Sequence, residues 1–81
     1  MLKIEDKIIE LVKEAGGLSS SAEIKENYML IEDLGFDSVS LVFLLTRIEE
    51  EFGIEFEGSD MLFENYNRIE SLHTLIRKYM E

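Results

Sequence analysis

Apolar residues recur at helical spacing near the start of the chain, with charged residues between them. Between residues 2 and 15 the apolar positions include Ile4, Ile8, Leu11, Val12 and Ala15. Steps of three and four residues place these side chains on one side of a helix, so the pattern predicts an amphipathic α-helix. Gly16-Gly17 is expected to end it, because glycine readily adopts the left-handed backbone that follows many helices.

Residues 17–37 show no sustained period, and we expect mainly an ordered loop there. Four apolar residues are expected to fix this loop to the rest of the fold: Ile24, Leu30, Ile31 and Leu34. A connection of about 20 residues is long for a small domain, and long ordered loops are often functional.

The helical period returns from Ser38 to Phe52, Gly53 is expected to end it, and two different sides of this helix are apolar. The first side carries Leu41, Leu44, Leu45, Ile48 and Phe52. The second side carries Val39, Val42, Phe43 and Thr46. Either the helix is buried all round, or the second side is an exposed apolar ridge of the kind that binds a partner.

The rest of the chain predicts one short and one longer helix. Residues 54–56 alternate as an extended link does, and a short helix is expected around residues 59–65 with Ser59 as its cap. Asn67 and Glu70 have the spacing of a capping box, which is expected to open the last helix. The predicted fold is therefore all-α, with three main helices and a short third helix in a four-helix bundle.

The size and charge of the chain exclude several classes of function. With 81 residues it is expected to form a single domain, residues 1–81, with a limited core. Eighteen acidic against eight basic residues give a net charge of -10, which argues against nucleic-acid binding and suits basic partner proteins. The chain has no cysteine, so disulfides and thiolate chemistry from its own side chains are excluded. No apolar run approaches the length of a membrane span, and a monomeric cytoplasmic protein is expected.

The pair Asp37-Ser38 precedes the most apolar helix and is the first candidate for chemistry. Both residues are good helix caps. The free N–H groups and the positive dipole end at such a position also favour a phosphate. The residues by themselves leave both interpretations open.

No other group of residues indicates an active site, and the protein is not expected to be an enzyme. His73 is the only histidine, and it is predicted to lie at the surface or boundary of the last helix and not to act as a base. Glu32, Asp33 and Asp37 lack the spacing of a calcium-binding loop, so no metal site is expected.

Two stretches of sequence carry a resemblance to a known family: EDLGFDSV at residues 32–39 and IEEEFGIEF at residues 48–56. With the apolar helix between them, they closely resemble the acyl carrier protein family, and the likeness extends over essentially the whole chain. The resemblance implies a four-helix bundle whose second helix opens with a serine that carries 4'-phosphopantetheine through a phosphodiester. Ser38 would be that serine, and the cofactor would supply the thiol that the chain lacks.

The resemblance also assigns roles to neighbouring residues and implies partners. Asp37 would help the loading transferase to recognise the site, while Gly35 and Phe36 would shape the turn that exposes Ser38. The partner-contact face would comprise Val39, Val42, Phe43, Thr46, Met61 and Leu62. The implied partners are a phosphopantetheinyl transferase, an acyl- or aminoacyl-loading ligase, and downstream synthase or transferase enzymes.

The sequence departs from the fatty-acid members of the family at several positions. Ser40 and Phe43 stand where those members commonly hold acids, and residues 61–67 look longer, as in stand-alone aminoacyl or D-alanyl carriers. The cargo is therefore open between an acyl group, for a fatty-acid, polyketide or related pathway, and an amino acid or peptide, for a nonribosomal-peptide-like or cell-wall pathway.

Three bulky aromatic residues are expected in the core, where they would leave little room for a long acyl chain: Phe56, Phe63 and Tyr66. An interpretation of another class also remains. The chain could be an acidic helical interaction module that carries no cofactor, with Asp37-Ser38 serving only as a cap.

Overall fold

The computed structural model describes residues 3–80, and the regular elements in this range are helices. It contains α1 (Ile4–Gly16), α2 (Ser38–Phe52) and α3 (Ile69–Met80), with one isolated backbone bridge between Met29 and Arg68 and no strand within residues 3–80. The all-α prediction is confirmed. The predicted start of the first helix, at residue 2, lies outside the described residues, and α1 runs one residue beyond its predicted end.

The segment predicted as one short helix over 59–65 is instead two 3-10 turns, Gly58–Met61 and Phe63–Asn65. Leu62 separates them with an extended backbone, and Ser59 lies inside the first turn instead of capping it. Neither turn contains a buried residue. A short segment that buries no apolar side chain lacks the packing that stabilises a regular helix, and tight single turns are the common outcome.

The core lies between one side of each helix. It contains Ile8, Leu11 and Val12 of α1, Leu41, Leu44, Leu45 and Ile48 of α2, and Ile69, Leu72, Leu75 and Ile76 of α3. The first apolar side of α2 therefore packs inward, as predicted, with Phe52 half-buried at its end. The second side is exposed, so α2 is not buried all round.

The long connection between α1 and α2 is an irregular, ordered loop that binds the start of α3. The N–H groups of Ile69 and Glu70 donate to the carbonyl oxygens of Tyr28 and Glu26, each at 2.9 Å. Leu30 is fully buried, and Ile24 and Leu34 pack against the core. Ile31 is exposed, so it does not pin the loop as expected.

Asn67 does not form the predicted capping box. Its side chain is buried and reaches across to the long loop, where Oδ1 accepts from the Ile31 N–H at 3.1 Å and Nδ2 donates to Glu32 Oε1 at 3.0 Å. The loop carbonyls take over the capping of α3, because they receive the N–H groups of Ile69 and Glu70. The capping prediction was wrong because the long loop supplies hydrogen-bond partners both for the Asn67 side chain and for the first N–H groups of α3.

His73 is buried, which corrects its predicted place at the surface or boundary. It stands four residues after Ile69 and three before Ile76, both fully buried, so helical spacing places it on the inward side of α3. Its Nδ1 lies 3.3 Å from Oε1 of Glu26 in the long loop. Its Nε2 is buried and has no hydrogen-bond partner among the described residues.

Phe63 is also placed differently from the prediction, while the two aromatic residues on either side of it are buried as expected. Phe56 and Tyr66 belong to the core, but the Phe63 side chain is 49% exposed. The nine residues between Phe56 and Tyr66 contain no buried side chain. This segment is therefore anchored at its two ends.

A hydrogen-bonded contact with the last turn of α3 also holds this segment. The Tyr79 hydroxyl donates to Asp60 Oδ2 at 2.7 Å and accepts from the Glu57 N–H at 2.9 Å. Lys78 Nζ lies 3.1 Å from the same carboxylate oxygen, and the Tyr79 ring meets Phe56 edge-on with centroids 5.1 Å apart. Donation by Tyr79 and Lys78 holds the pKa of the Asp60 carboxyl below its ordinary value.

Two features are absent from residues 3–80: a membrane-spanning helix and a cluster of metal-binding side chains. Within residues 3–80, no helix has both the length and the apolar character needed to cross a membrane. The same range contains no group of three or more histidine, aspartate or glutamate side chains arranged to hold a metal ion.

Candidate functional site at the start of α2

Asp37 caps α2 in the manner that its residue type predicts. Its backbone is extended, and its Oδ1 accepts the Ser40 N–H at 2.8 Å. Its carbonyl oxygen accepts the Leu41 N–H at 2.9 Å, the first hydrogen bond of the helix. The bond from the Ser40 N–H is the main cause that holds the pKa of Asp37 below its ordinary value. The cap is therefore a carboxylate at neutral pH.

Ser38 is the first residue of α2, and its side chain is exposed. Its hydroxyl makes no hydrogen bond with any residue in the range 3–80, so it is free to react. The N–H groups of the first helical turn precede the regular hydrogen-bond pattern, and the helix dipole is positive there. This end of α2 thus presents an accessible hydroxyl in a setting that suits an anionic group.

The turn before α2 is built around Phe36. Gly35 has φ +74°, in the left-handed region that glycine adopts without strain. Phe36 follows it and is buried, and its N–H donates to the Leu30 carbonyl oxygen at 2.9 Å. Because Phe36 points into the core, the chain reverses and leaves Asp37 and Ser38 on the outside.

The Phe36 ring lies against the end of α1. A Cβ atom added at Gly16 would sit only 2.7 Å from Phe36 Cε1. The absence of a side chain at Gly16 therefore makes room for this ring. The sequence predicted only a stop signal there, and spacing along the chain carries no sign of the contact.

A second anchor of the site comes from the far end of the sequence. Leu30 donates its N–H to the Asn67 carbonyl oxygen at 2.6 Å, and the Asn67 side chain holds the next two residues of the loop. Asp33 closes the turn that follows, since its Oδ2 accepts the Met29 N–H at 2.7 Å. Asn67 is a supporting residue of the site that the sequence interpretation assigned to a helix cap.

The second side of α2 forms an apolar surface directly beside Ser38. The side chains of Val39, Val42 and Phe43 are 75, 65 and 46% exposed, and Thr46 is exposed as well. These four positions follow the i, i+3, i+4, i+7 spacing of one helix face. We call them the α2 stripe.

A second exposed apolar group lies on the segment between α2 and α3. It contains two residues expected there, Met61 and Leu62, and a third, Phe63, that had been assigned to the core. The separation of the two 3-10 turns at Leu62 leaves all three side chains outside the core.

Comparison with known proteins places the chain in a family. A sequence profile for the phosphopantetheine attachment site matches residues 6–76. The acyl carrier protein of Buchnera aphidicola subsp. Baizongia pistaciae is 36% identical over 80 residues, which cover 99% of both chains. The acyl carrier protein of Nitratidesulfovibrio vulgaris (Miyazaki F strain) is 39% identical over 59 residues, which cover 73% of this chain and 76% of the relative. The chain therefore belongs to the phosphopantetheine attachment family of acyl carrier proteins, and its cofactor is 4'-phosphopantetheine.

Proposed function

We propose that Ser38 Oγ is the attachment point of 4'-phosphopantetheine and that the bond is a phosphodiester. The observation that carries the proposal is the exposed, unpartnered Ser38 hydroxyl at the N-terminus of α2, within the range matched by the family profile. The residues present fit the group, because Ser38 is exposed and the positive dipole end of α2 suits its phosphate. When bound, the cofactor supplies a thiol that holds the cargo as a thioester, a group that a chain without cysteine cannot offer.

The protein is a carrier and not an enzyme in this proposal. Its task is to present the arm to other proteins, which bring the catalytic groups. These partners are a phosphopantetheinyl transferase, an acyl- or aminoacyl-loading ligase, and downstream synthase or transferase enzymes.

Asp37, Gly35 and Phe36 support the attachment residue. Asp37 holds the first turn of α2 through Ser40 and keeps a negative charge beside Ser38 for recognition by the transferase. Gly35 allows the turn, and the buried Phe36 fixes it to the core. Substitution of Gly35 or Phe36 would displace Ser38 without changing the chemistry of its hydroxyl group.

Partners dock on the α2 stripe, Val39, Val42, Phe43 and Thr46, and on the exposed Met61 and Leu62. Phe63 joins this second group because its side chain is half exposed. In this proposal the two 3-10 turns stand where the family's four-helix bundle has its short third helix. Exposed apolar side chains on both elements support this assignment.

The cargo is an acyl group of a fatty-acid, polyketide or related pathway, or an amino acid or peptide of a nonribosomal-peptide-like or cell-wall pathway. Buried Phe56 and Tyr66 favour a small cargo, because they occupy volume next to α2 and α3. Backbone amide shifts of the protein loaded with a long-chain and with an amino-acid thioester test this. Shifts spread through the core with the long chain would contradict it.

The chain acts as one carrier domain, residues 1–81, in a monomeric cytoplasmic protein. The high negative charge supports the monomer, because like-charged copies repel one another.

Intact mass spectrometry tests the attachment. The protein is incubated with a promiscuous phosphopantetheinyl transferase, coenzyme A and magnesium, and one phosphopantetheine mass is expected to be added. The matched control is Ser38→Ala, which should gain nothing, whereas Ser40→Ala, two residues further along α2, should still be loaded. No gain in the unaltered protein would favour an acidic interaction module without a cofactor, and a gain in Ser38→Ala would place the attachment elsewhere.

A further inference from the structure

The α2 stripe is a charge-free surface on a strongly negative protein. No acidic or basic residue occurs in the sequence between Asp37 and Arg47, and the net charge of the chain is -10. The stripe spans seven residue steps, about 10 Å of helix. A partner bound to the stripe would contact methyl groups and an aromatic ring, and none of the four side chains is a carboxylate.

The charged residues at the far end of α2 have partners within the protein. Arg47 Nε donates to Glu14 Oε1 of α1 at 2.9 Å, and its Nη1 lies 3.5 Å from Glu50 Oε1. Two further carboxylates of this end of α2 also have partners within the protein. Glu49 accepts the Phe56 N–H at 2.9 Å, and Glu51 pairs with Lys7 at 2.7 Å. Glu50 has the longest of these contacts and a largely exposed side chain, so it is the acid most open to a partner.

The stripe also begins at the attachment residue. Val39 follows Ser38 in the chain, and Val42 lies one helical turn from it, on the same side of α2. An enzyme that brings its reacting groups to Ser38 Oγ therefore comes next to the start of the stripe, and the exposed side chains of Val39 and Val42 are available to it there.

We infer that the enzymes acting on Ser38 hold this protein through an uncharged apolar surface laid along the α2 stripe, with Asp37 as the charged residue at its start, and that the charge of the rest of the protein only brings the two proteins together. The inference rests on the proposed function. Long-range attraction between unlike charges raises the association rate and is screened by salt. Apolar contacts act after the encounter, so they set the dissociation rate.

Binding kinetics on an immobilised phosphopantetheinyl transferase, with no coenzyme A present, separate the two effects. Rates are measured at about 0.1 M and about 1 M NaCl, between which the screening length falls from about 10 to about 3 Å. Association should slow in high salt, while the dissociation rate should change by less than about twofold. Phe43→Ala should raise the dissociation rate about tenfold, as the loss of a central aromatic anchor does.

Glu50→Gln is the matched control at the end of the stripe, and its dissociation rate should stay within about twofold of the unaltered protein. Dissociation that speeds up strongly in high salt, or that Glu50→Gln speeds up as much as Phe43→Ala, overturns the inference in favour of ionic contacts. Sedimentation gives a further check: a dimer that Phe43→Ala abolishes would assign the stripe to a second copy and also overturn it.

Two measurements keep the outcomes apart. The circular dichroism spectrum and unfolding curve of Phe43→Ala should match those of the unaltered protein, since the side chain is half exposed. Loading of Ser38 is read separately by intact mass. If Ser38 is loaded but dissociation is sensitive to salt, the inference is overturned and the proposed function stands. If Ser38 is not loaded at all, the inference and the proposed function are both overturned.

Discussion

Phe36 determines where Ser38 lies, although one side chain is buried and the other is exposed. Its burial beneath the end of α1 pulls the turn at Gly35 inward and leaves Asp37 to start α2 at the surface. Gly16 takes part because its missing side chain accommodates the Phe36 ring. The exposure of Ser38 therefore depends on packing between residues about 20 positions apart.

Substitution Gly16→Ala should crowd this contact. We expect the free energy of unfolding to fall by about 1–3 kcal/mol, the usual cost of overpacking a core. Urea unfolding measures it. Combining Gly16→Ala with Phe36→Leu should cost less than the sum of the two single changes, because the smaller side chain leaves room for the added methyl group. Additive losses would mean that the two residues do not compete for space.

His73 is a polar residue in a buried position that does not satisfy its hydrogen-bonding groups. A buried Nε2 without a partner has lost its water and gained no hydrogen bond, and the contact from Nδ1 to the exposed Glu26 is long at 3.3 Å. His73→Leu should therefore raise the free energy of unfolding by about 1 kcal/mol. His73→Asn, which keeps a polar group at the site, should give no such gain. A less stable leucine variant would show that the contact with Glu26 matters more than the buried nitrogen.

At the scale of elements, the two sides of α2 have different surroundings. One side packs into the core with residues of α1 and α3, and the opposite side is exposed. The segment between α2 and α3 contributes exposed apolar side chains too, but it has no buried residue between Phe56 and Tyr66. Its position depends on the bonds from Tyr79 and Lys78 to Asp60.

Substitution Tyr79→Phe removes the hydroxyl that bonds both Asp60 and Glu57 while keeping the ring against Phe56. Amide hydrogen exchange in residues 57–65 should become about fivefold faster, as expected when one hydrogen bond of a local unit is lost. Exchange within α1 should not change. Faster exchange throughout the protein would instead indicate a general loss of stability.

The same contact predicts a dependence on pH. The pKa of Asp60 is lowered in the folded protein by Tyr79 and Lys78. Its stabilising contribution is therefore present above the unfolded value, about 3.9, and is lost as the pH falls through the folded pKa. The difference in stability between Tyr79→Phe and the unaltered protein should shrink below about pH 4. A difference that stays constant into acid would exclude the carboxylate as the acceptor.

At the scale of the whole molecule, the net charge of -10 has two opposite consequences. A charge of this size attracts basic surfaces, and it makes the folded state repel itself. Compact folding gathers the acids, so the self-repulsion is larger in the folded chain than in the extended one. Surface ion pairs offset only part of it, because each contributes little in water.

Salt should therefore stabilise the protein. Raising NaCl from about 0.1 to about 1 M should raise the melting temperature by about 4 °C or more, since screening removes much of the repulsion. A variant with Glu10, Glu55 and Glu64 changed to glutamine should melt higher in low salt and respond less to added salt. These acids are exposed and have no ion pair among the described residues. A melting temperature that falls with salt would mean that the ion pairs outweigh the repulsion.

The sequence by itself determined the helical elements, the inward side of α2 and the motif around Ser38. These depend on the period of apolar residues and on local capping, which are written in consecutive positions. Tertiary structure decided the features that the spacing of apolar residues does not predict. Asn67 caps nothing and holds the long loop, His73 is buried, Phe63 is exposed, and the short third helix is two separate turns.

The outcomes for Asn67 and His73 depend on a neighbour that is distant in sequence, whereas the exposure of Phe63 and the two separate turns go with a segment that has no buried residue. Loop carbonyls replaced the cap that Asn67 was expected to form, and the loop also brought Glu26 to His73. The exposure of the second side of α2 belongs to the same class, because periodicity predicts that two sides are apolar but not which one finds a partner within the chain. Packing between distant segments settles that choice, and here it leaves the stripe beside Ser38 uncovered.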